Sequence, residues 1–142
     1  MNDYGSLLWN IVAAGARIEH RLEAALEDTG LSLAKLKALK QLVLAGEPLA
    51  LGQLAERIAC VKSNVTQLVD RLENENLVRR IPDPTDRRSV LATITEEGRR
   101  RYDIGAAALA RAELELIEEF PAEQRELIAR LVGEFAAGTP AS

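Results

Sequence analysis

The sequence predicts a mainly α-helical fold carrying one small β-hairpin. Three observations lead there: apolar residues recur at helical spacing along most of the chain, glycine and proline break that spacing at intervals, and a single β-branched run, SVLATIT at residues 89–95, follows a proline-rich turn. At 142 residues, 47% hydrophobic and 28% charged, the chain is long enough for one domain with a real core.

The elements follow in order. Residues 5–28 place Leu8, Ile11, Val12, Gly15, Ile18, Leu22 and Leu26 on one helical stripe, and Gly30 is a natural stop. Ser32 suits the N-cap of a second helix reaching Leu44, which Gly46-Glu47-Pro48 then breaks. Two helices follow, over residues 51–59 and 62–75. Strand-like runs at 77–81 and 89–95 are joined by PDPTDRR, too long for a two-residue turn, so the hairpin projects a tip. Thr95 caps the next helix, with Glu96 and Glu97 in its first turn, where the helix dipole favours negative charge. That helix runs to about Phe120. Pro121 suits the first turn of a last helix whose Leu127, Ile128, Leu131, Val132 and Phe135 form one stripe. The tail at 139–142 is expected to be disordered.

Two short helices joined by a tight turn and followed directly by a hairpin make a winged helix-turn-helix, expected over residues 31–98. The helices at the ends, 1–30 and 99–138, are too long and apolar for that module to need. They are expected to be dimerisation helices, buried against a second copy.

Net charge is -4, yet residues 57–101 hold ten Lys/Arg against seven Asp/Glu, and the rest holds eight against fifteen. Arg79, Arg80, Arg87 and Arg88 gather on the hairpin alone. A basic centre in an acidic body suits an anionic partner that touches only the middle of the chain. On the second helix of the pair, Val65, Leu68, Val69 and Leu72 form the face to be buried. Turned away are Ser63, Asn64, Gln67, Asp70 and Arg71, with Thr66 at the border, and Lys62 at the start of the helix joins them as a DNA-binding candidate. Those include the residue types that read base edges or bind phosphates. Arg87 and Arg88, presented on a tip stiffened by two prolines, suit the DNA backbone and minor groove, with Asp86 expected to orient the Arg88 guanidinium.

No nucleophile or phosphate-loop motif appears, so an enzyme is not expected. One cysteine and one histidine exclude a disulfide framework and a dedicated zinc site, and no cofactor is expected. No apolar run is long enough to span a bilayer and the N-terminus lacks signal-peptide character, so a cytoplasmic protein without membrane contact is expected.

The stretch from 54 to 98, with VTQLVDRLE, LVRR and DPTDRRSV in that order, resembles the MarR family of bacterial transcriptional regulators. The resemblance implies a homodimer that binds a pseudo-palindromic double-stranded DNA operator, most often as a repressor. It makes the 62–75 helix the recognition helix and Arg88 the wing arginine. It also implies release by a small anionic or phenolic ligand entering between the dimer helices and the DNA-binding lobe. The chain departs from the usual pattern at Ala59 and Val61, where a turn glycine and a serine cap are frequent. Asn76 stands for the usual glycine, which asparagine's access to the left-handed region permits. Two alternatives remain: a winged helix kept for protein contacts, and a redox-responsive regulator acting through Cys60. Packing is the expected role of Cys60, a small apolar slot in the turn, and an interface role is expected of Trp9 and His20. Lys35, Lys37 and Lys40 on the second helix argue against urate and for an anionic effector or extra DNA contacts.

Overall fold

A computed structural model describes residues 4–58 and 62–138. The element order is α1 (Tyr4–Leu26), α2 (Leu33–Ala45), β1 (Leu49–Ala50), α3 (Leu51–Arg57), α4 (Lys62–Asn74), β2 (Val78–Pro82), β3 (Val90–Ile94), α5 (Glu96–Glu118) and α6 (Arg125–Ala136). They fall into two compact units, residues 1–109 and 110–142.

The first unit holds the core. Leu36, Leu39 and Leu42 of α2 meet Leu54 of α3, Val65, Val69 and Leu72 of α4, Val78 of β2 and Ala92 of β3 in one buried cluster. Leu26 at the end of α1 and Ala108 of α5 join it. Gly98 and Gly105 let α5 come close. A Cβ on Gly98 would meet the Leu77 carbonyl oxygen at 2.0 Å, and one on Gly105 would meet Leu36 Cδ1 at 2.9 Å.

Several local expectations hold. The Ser32 side chain accepts the Lys35 N–H at 3.2 Å, capping α2, and Gly46 ends it with φ 66°. Thr95 Oγ1 accepts the Gly98 N–H at 2.9 Å, capping α5, and donates to the Asn76 carbonyl at 2.7 Å. Asn76 takes φ 61°. Around it the Leu77 N–H reaches the Leu72 carbonyl and the Asn76 N–H reaches the Glu73 carbonyl, both at 2.9 Å, which is a Schellman turn. Its apolar contact comes from Leu72 and Leu77, both buried.

Others are corrected. The expected hairpin is a three-stranded antiparallel sheet, ordered β1-β3-β2, because Leu49 and Ala50 pair with Ala92 and Leu91. The first helix stops at Leu26, and a 3-10 turn, Glu27–Thr29, leads to Gly30 at φ 74°. Pro121 precedes a 3-10 turn, Ala122–Gln124, rather than entering α6 directly. Its missing N–H costs nothing there, while its carbonyl accepts the Gln124 N–H at 2.9 Å. Cys60, with its neighbours Ala59 and Val61, lies outside the described residues, as does the 139–142 tail. Among the described residues, no helix is long and apolar enough to cross a membrane.

Candidate nucleic-acid interface

Helix α4 divides its side chains as its spacing requires. Val65, Leu68, Val69 and Leu72 are buried, while Ser63, Asn64, Thr66, Gln67, Asp70 and Arg71 are exposed. Lys62 is the first residue of the helix.

The hairpin tip, residues 83–89, is folded on itself. Asp83 Oδ1 accepts the Thr85 N–H at 2.9 Å and the Thr85 hydroxyl at 2.7 Å. The Asp83 N–H donates to the Ser89 carbonyl at 3.2 Å, and the Ser89 N–H to the Asp86 carbonyl at 3.1 Å. The Thr85 amide and hydroxyl, stabilising the charged form, hold the Asp83 carboxyl below its usual value. Asp86 accepts the backbone N–H of Arg88 at 2.9 Å, not the guanidinium expected of it. An aspartate two residues ahead closes a local Asx-turn more readily than it reaches the end of a long arginine. The carboxylate therefore orders the backbone that carries Arg88. Arg87 and Arg88 are exposed at the tip.

The four hairpin arginines are not equivalent, because side chains alternate across a strand. In the β2–β3 register Arg80 stands opposite Ala92 and Arg79 opposite Thr93. Arg80 shares the face of buried Val78 and turns toward α4, where it meets Asp70 and Glu73. Arg79 lies on the other face and is exposed. Elsewhere in the basic centre, Arg100 pairs with Glu97 at 2.5 Å, and Arg101 bridges Glu97 and the Thr29 carbonyl at 3.3 and 3.2 Å. The hydrogen bond from Arg100 holds the Glu97 carboxyl below its usual value. Lys35 pairs with Glu75 at 2.7 Å. Local charge counting missed these internal pairs; strand alternation and the three-residue spacing of Asp70 and Glu73 were the available signals.

A separate crevice of about 540 Å³ opens between α1, α2, Ile58 and Leu68 of the first unit. Glu19, His20, Glu23 and Lys37 line it, and Glu23 Oε1 accepts the Leu33 N–H at 3.0 Å, an extra cap for α2 supplied by α1.

A profile of the MarR family matches residues 31–90. The chain is 33% identical over 114 residues to YcgE of Bacillus subtilis, an uncharacterised HTH-type transcriptional regulator, covering 80% of this chain and 73% of that protein. Among solved structures, CouR from Rhodococcus jostii RHA1, bound to p-coumaroyl-CoA, is 29% identical, with a TM-score of 0.76 over 99% of this chain and 96% of that one. A cysteine-to-serine mutant of Escherichia coli MarR, complexed with operator DNA, has a TM-score of 0.84 over 94% and 96% of the two chains; at 21% identity it bears on the fold alone. With an exposed polar face on α4, a structured hairpin beside it and these similarities, the chain belongs to the MarR family of winged helix-turn-helix transcriptional regulators, which are not enzymes.

Proposed function

We propose that this chain is a homodimeric repressor that binds a pseudo-palindromic DNA operator and is released by a small ligand. In this reading Lys62, Ser63, Asn64, Thr66, Gln67 and Arg71 of α4 enter the major groove. Arg87 and Arg88 contact the backbone and minor groove, and Asp86 holds the Arg88 main chain in place. The observation that carries the reading is α4 itself. Its apolar side is consumed by the core, and its exposed side offers hydrogen-bonding groups beside a hairpin whose preordered tip bears two exposed arginines.

The division into a DNA-binding lobe at 31–98 and dimerisation helices at 1–30 and 99–138 belongs to the same proposal. Its support is that Leu8, Trp9, Ile11 and Val12 of α1 are exposed in the first unit, and Leu131, Val132 and Phe135 of α6 in the second. Apolar surface of this extent calls for a partner, and a second copy supplies one by symmetry.

For the ligand, the α1–α2 crevice favours the phenolic over the anionic class. A phenol can donate to Glu19 or Glu23, whereas an anion meets those carboxylates with only Lys37 and the His20 imidazole in its favour. The relative CouR, bound to p-coumaroyl-CoA, supports a ligand-responsive reading.

Selection from a randomised duplex pool, followed by footprinting, tests the function. Two inverted half-sites with centres about 10 base pairs or a multiple apart are expected. Binding without preference over random duplex would sink the reading.

A further inference from the structure

Arg80 lies midway along β2, and its guanidinium reaches across to α4. Nη2 meets Asp70 Oδ1 at 2.5 Å and the Thr66 carbonyl at 3.3 Å, and Nη1 meets Glu73 Oε1 at 2.9 Å. The Arg80 main-chain N–H donates to the other oxygen of Glu73, also at 2.9 Å. Thr66, Asp70 and Glu73 are spaced i, i+4, i+7, so they form a stripe along one flank of α4. Side chain and backbone of one strand residue are thus bound to two turns of the neighbouring helix. Partial burial works against the guanidinium charge, but the hydrogen bonds it donates to Asp70 and Glu73 outweigh it and raise Arg80 above the ordinary arginine value.

Stability alone is a weak account of this cluster. The two carboxylates are about half exposed, 56% and 41%, and exposed ion pairs typically contribute little to folding. A planar fork engaged at several points does supply direction. β3 is fixed at this level by β1, through Leu49 and Ala50 against Ala92 and Leu91, whereas β2 is the outer strand, and Arg80, opposite Ala92, ties it to α4.

We propose that Arg80 is a positioning residue for DNA binding: by clamping β2 to Thr66, Asp70 and Glu73 it makes recognition helix and wing a single rigid reading head. The proposal rests on the DNA-binding reading above. Arg80 touches no nucleic acid in it, which separates it from Arg87 and Arg88. The wing and α4 are set before DNA arrives, so binding does not have to order one against the other.

The test uses Arg80→Met, which keeps the stem and loses the fork, with Arg80→Lys and the pair Asp70→Asn/Glu73→Gln. In a Cys60→Ser background, spin labels at Asn64→Cys and Pro84→Cys report the helix-to-tip distance without DNA. A narrow distribution is expected for the parent, a broad one for Arg80→Met and for the carboxylate pair, and an intermediate one for Arg80→Lys. On unlabelled protein, Arg80→Met should bind a selected operator about tenfold more weakly per half-site. Its salt slope should match the parent's, because no phosphate contact is lost. A slope shallower by about one unit per subunit would make Arg80 a phosphate ligand and overturn the proposal. So would an unchanged distance distribution, or operator binding equal to the parent's. If the parent itself selects no duplex, the DNA-binding reading falls and the positioning role with it; if the parent binds and Arg80→Met binds equally, only the positioning role falls.

Discussion

Helices α4 and α6 are built alike and treated differently. Each is a short amphipathic helix with apolar residues at i, i+3 or i+4, and i+7 or i+8. In α4 the stripe of Val65, Leu68, Val69 and Leu72 is buried; in α6 Leu131 is 53% exposed and Phe135 83%. The pattern that makes a helix amphipathic states that one side must leave water, not what it must meet. For α4 the partner is α2 and the sheet of its own unit. Among the described residues, α6 has no buried side chain, and a second copy of the chain is the proposed answer.

The sharpest way to break this comparison is to place charge on the open stripe. Leu131→Asp with Phe135→Asp would bury carboxylates in the proposed interface, a cost of several kcal/mol. Sedimentation should show folded monomer at micromolar concentration, and operator binding should fall by at least about a hundredfold. A dimer that survives would mean that α6 meets something else. Leu72→Ala, on the buried stripe, should cost about 2–5 kcal/mol of stability. Denaturant unfolding checks this, and a loss below 1 kcal/mol would contradict the packing described for α4.

Smaller effects separate the two parts of the proposed reading head. Arg88→Ala should weaken operator binding by about 1–3 kcal/mol per half-site, with a shallower salt slope. Gln67→Ala should change which operator bases matter while leaving the slope nearly intact. Both should melt close to the parent. The least effect concerns the tip in acid. Because the folded Asp83 carboxyl titrates below its unfolded value, the order it provides is fully present above about pH 4 and lost as pH falls through the lower folded value. The Thr85 amide resonance followed through that window should move with Asp83. A Thr85 amide that holds its position while Asp83 protonates would show that the turn closes without the carboxylate.

What the sequence revealed and what it hid follow one physical line. Effects that act within a few residues were legible: the Ser32 and Thr95 caps, the left-handed Asn76 and the division of faces on α4. Effects that need a distant partner were not. The two residues of β1 are too few to show an alternation, and only Ala92 and Leu91 across the sheet make them a strand. Arg80 read as one more cation of a basic hairpin until strand alternation turned it toward two carboxylates seven and ten residues upstream. Asp86 was placed on the correct residue but the wrong atoms, since sequence spacing does not separate a main-chain acceptor role from a side-chain one.

The stapling of the hairpin's two feet also bears on how such a protein can be altered. Thr95 ties the end of β3 to Asn76 through its hydroxyl and to the Leu77 carbonyl through its N–H, at 2.7 and 3.1 Å. The Leu77 carbonyl in turn sits where any side chain on residue 98 would have to go. Farther out, the hydrogen bonds described for the tip run between Asp83, Thr85, Asp86, Arg88 and Ser89. Segment 83–89 is thus closed by bonds separate from those that set the base, so a change of turn there is expected to leave the register of the feet in place. In the proposed DNA-binding reading, a lineage or an engineer could then retune how far Arg87 and Arg88 reach along a duplex without reopening the core.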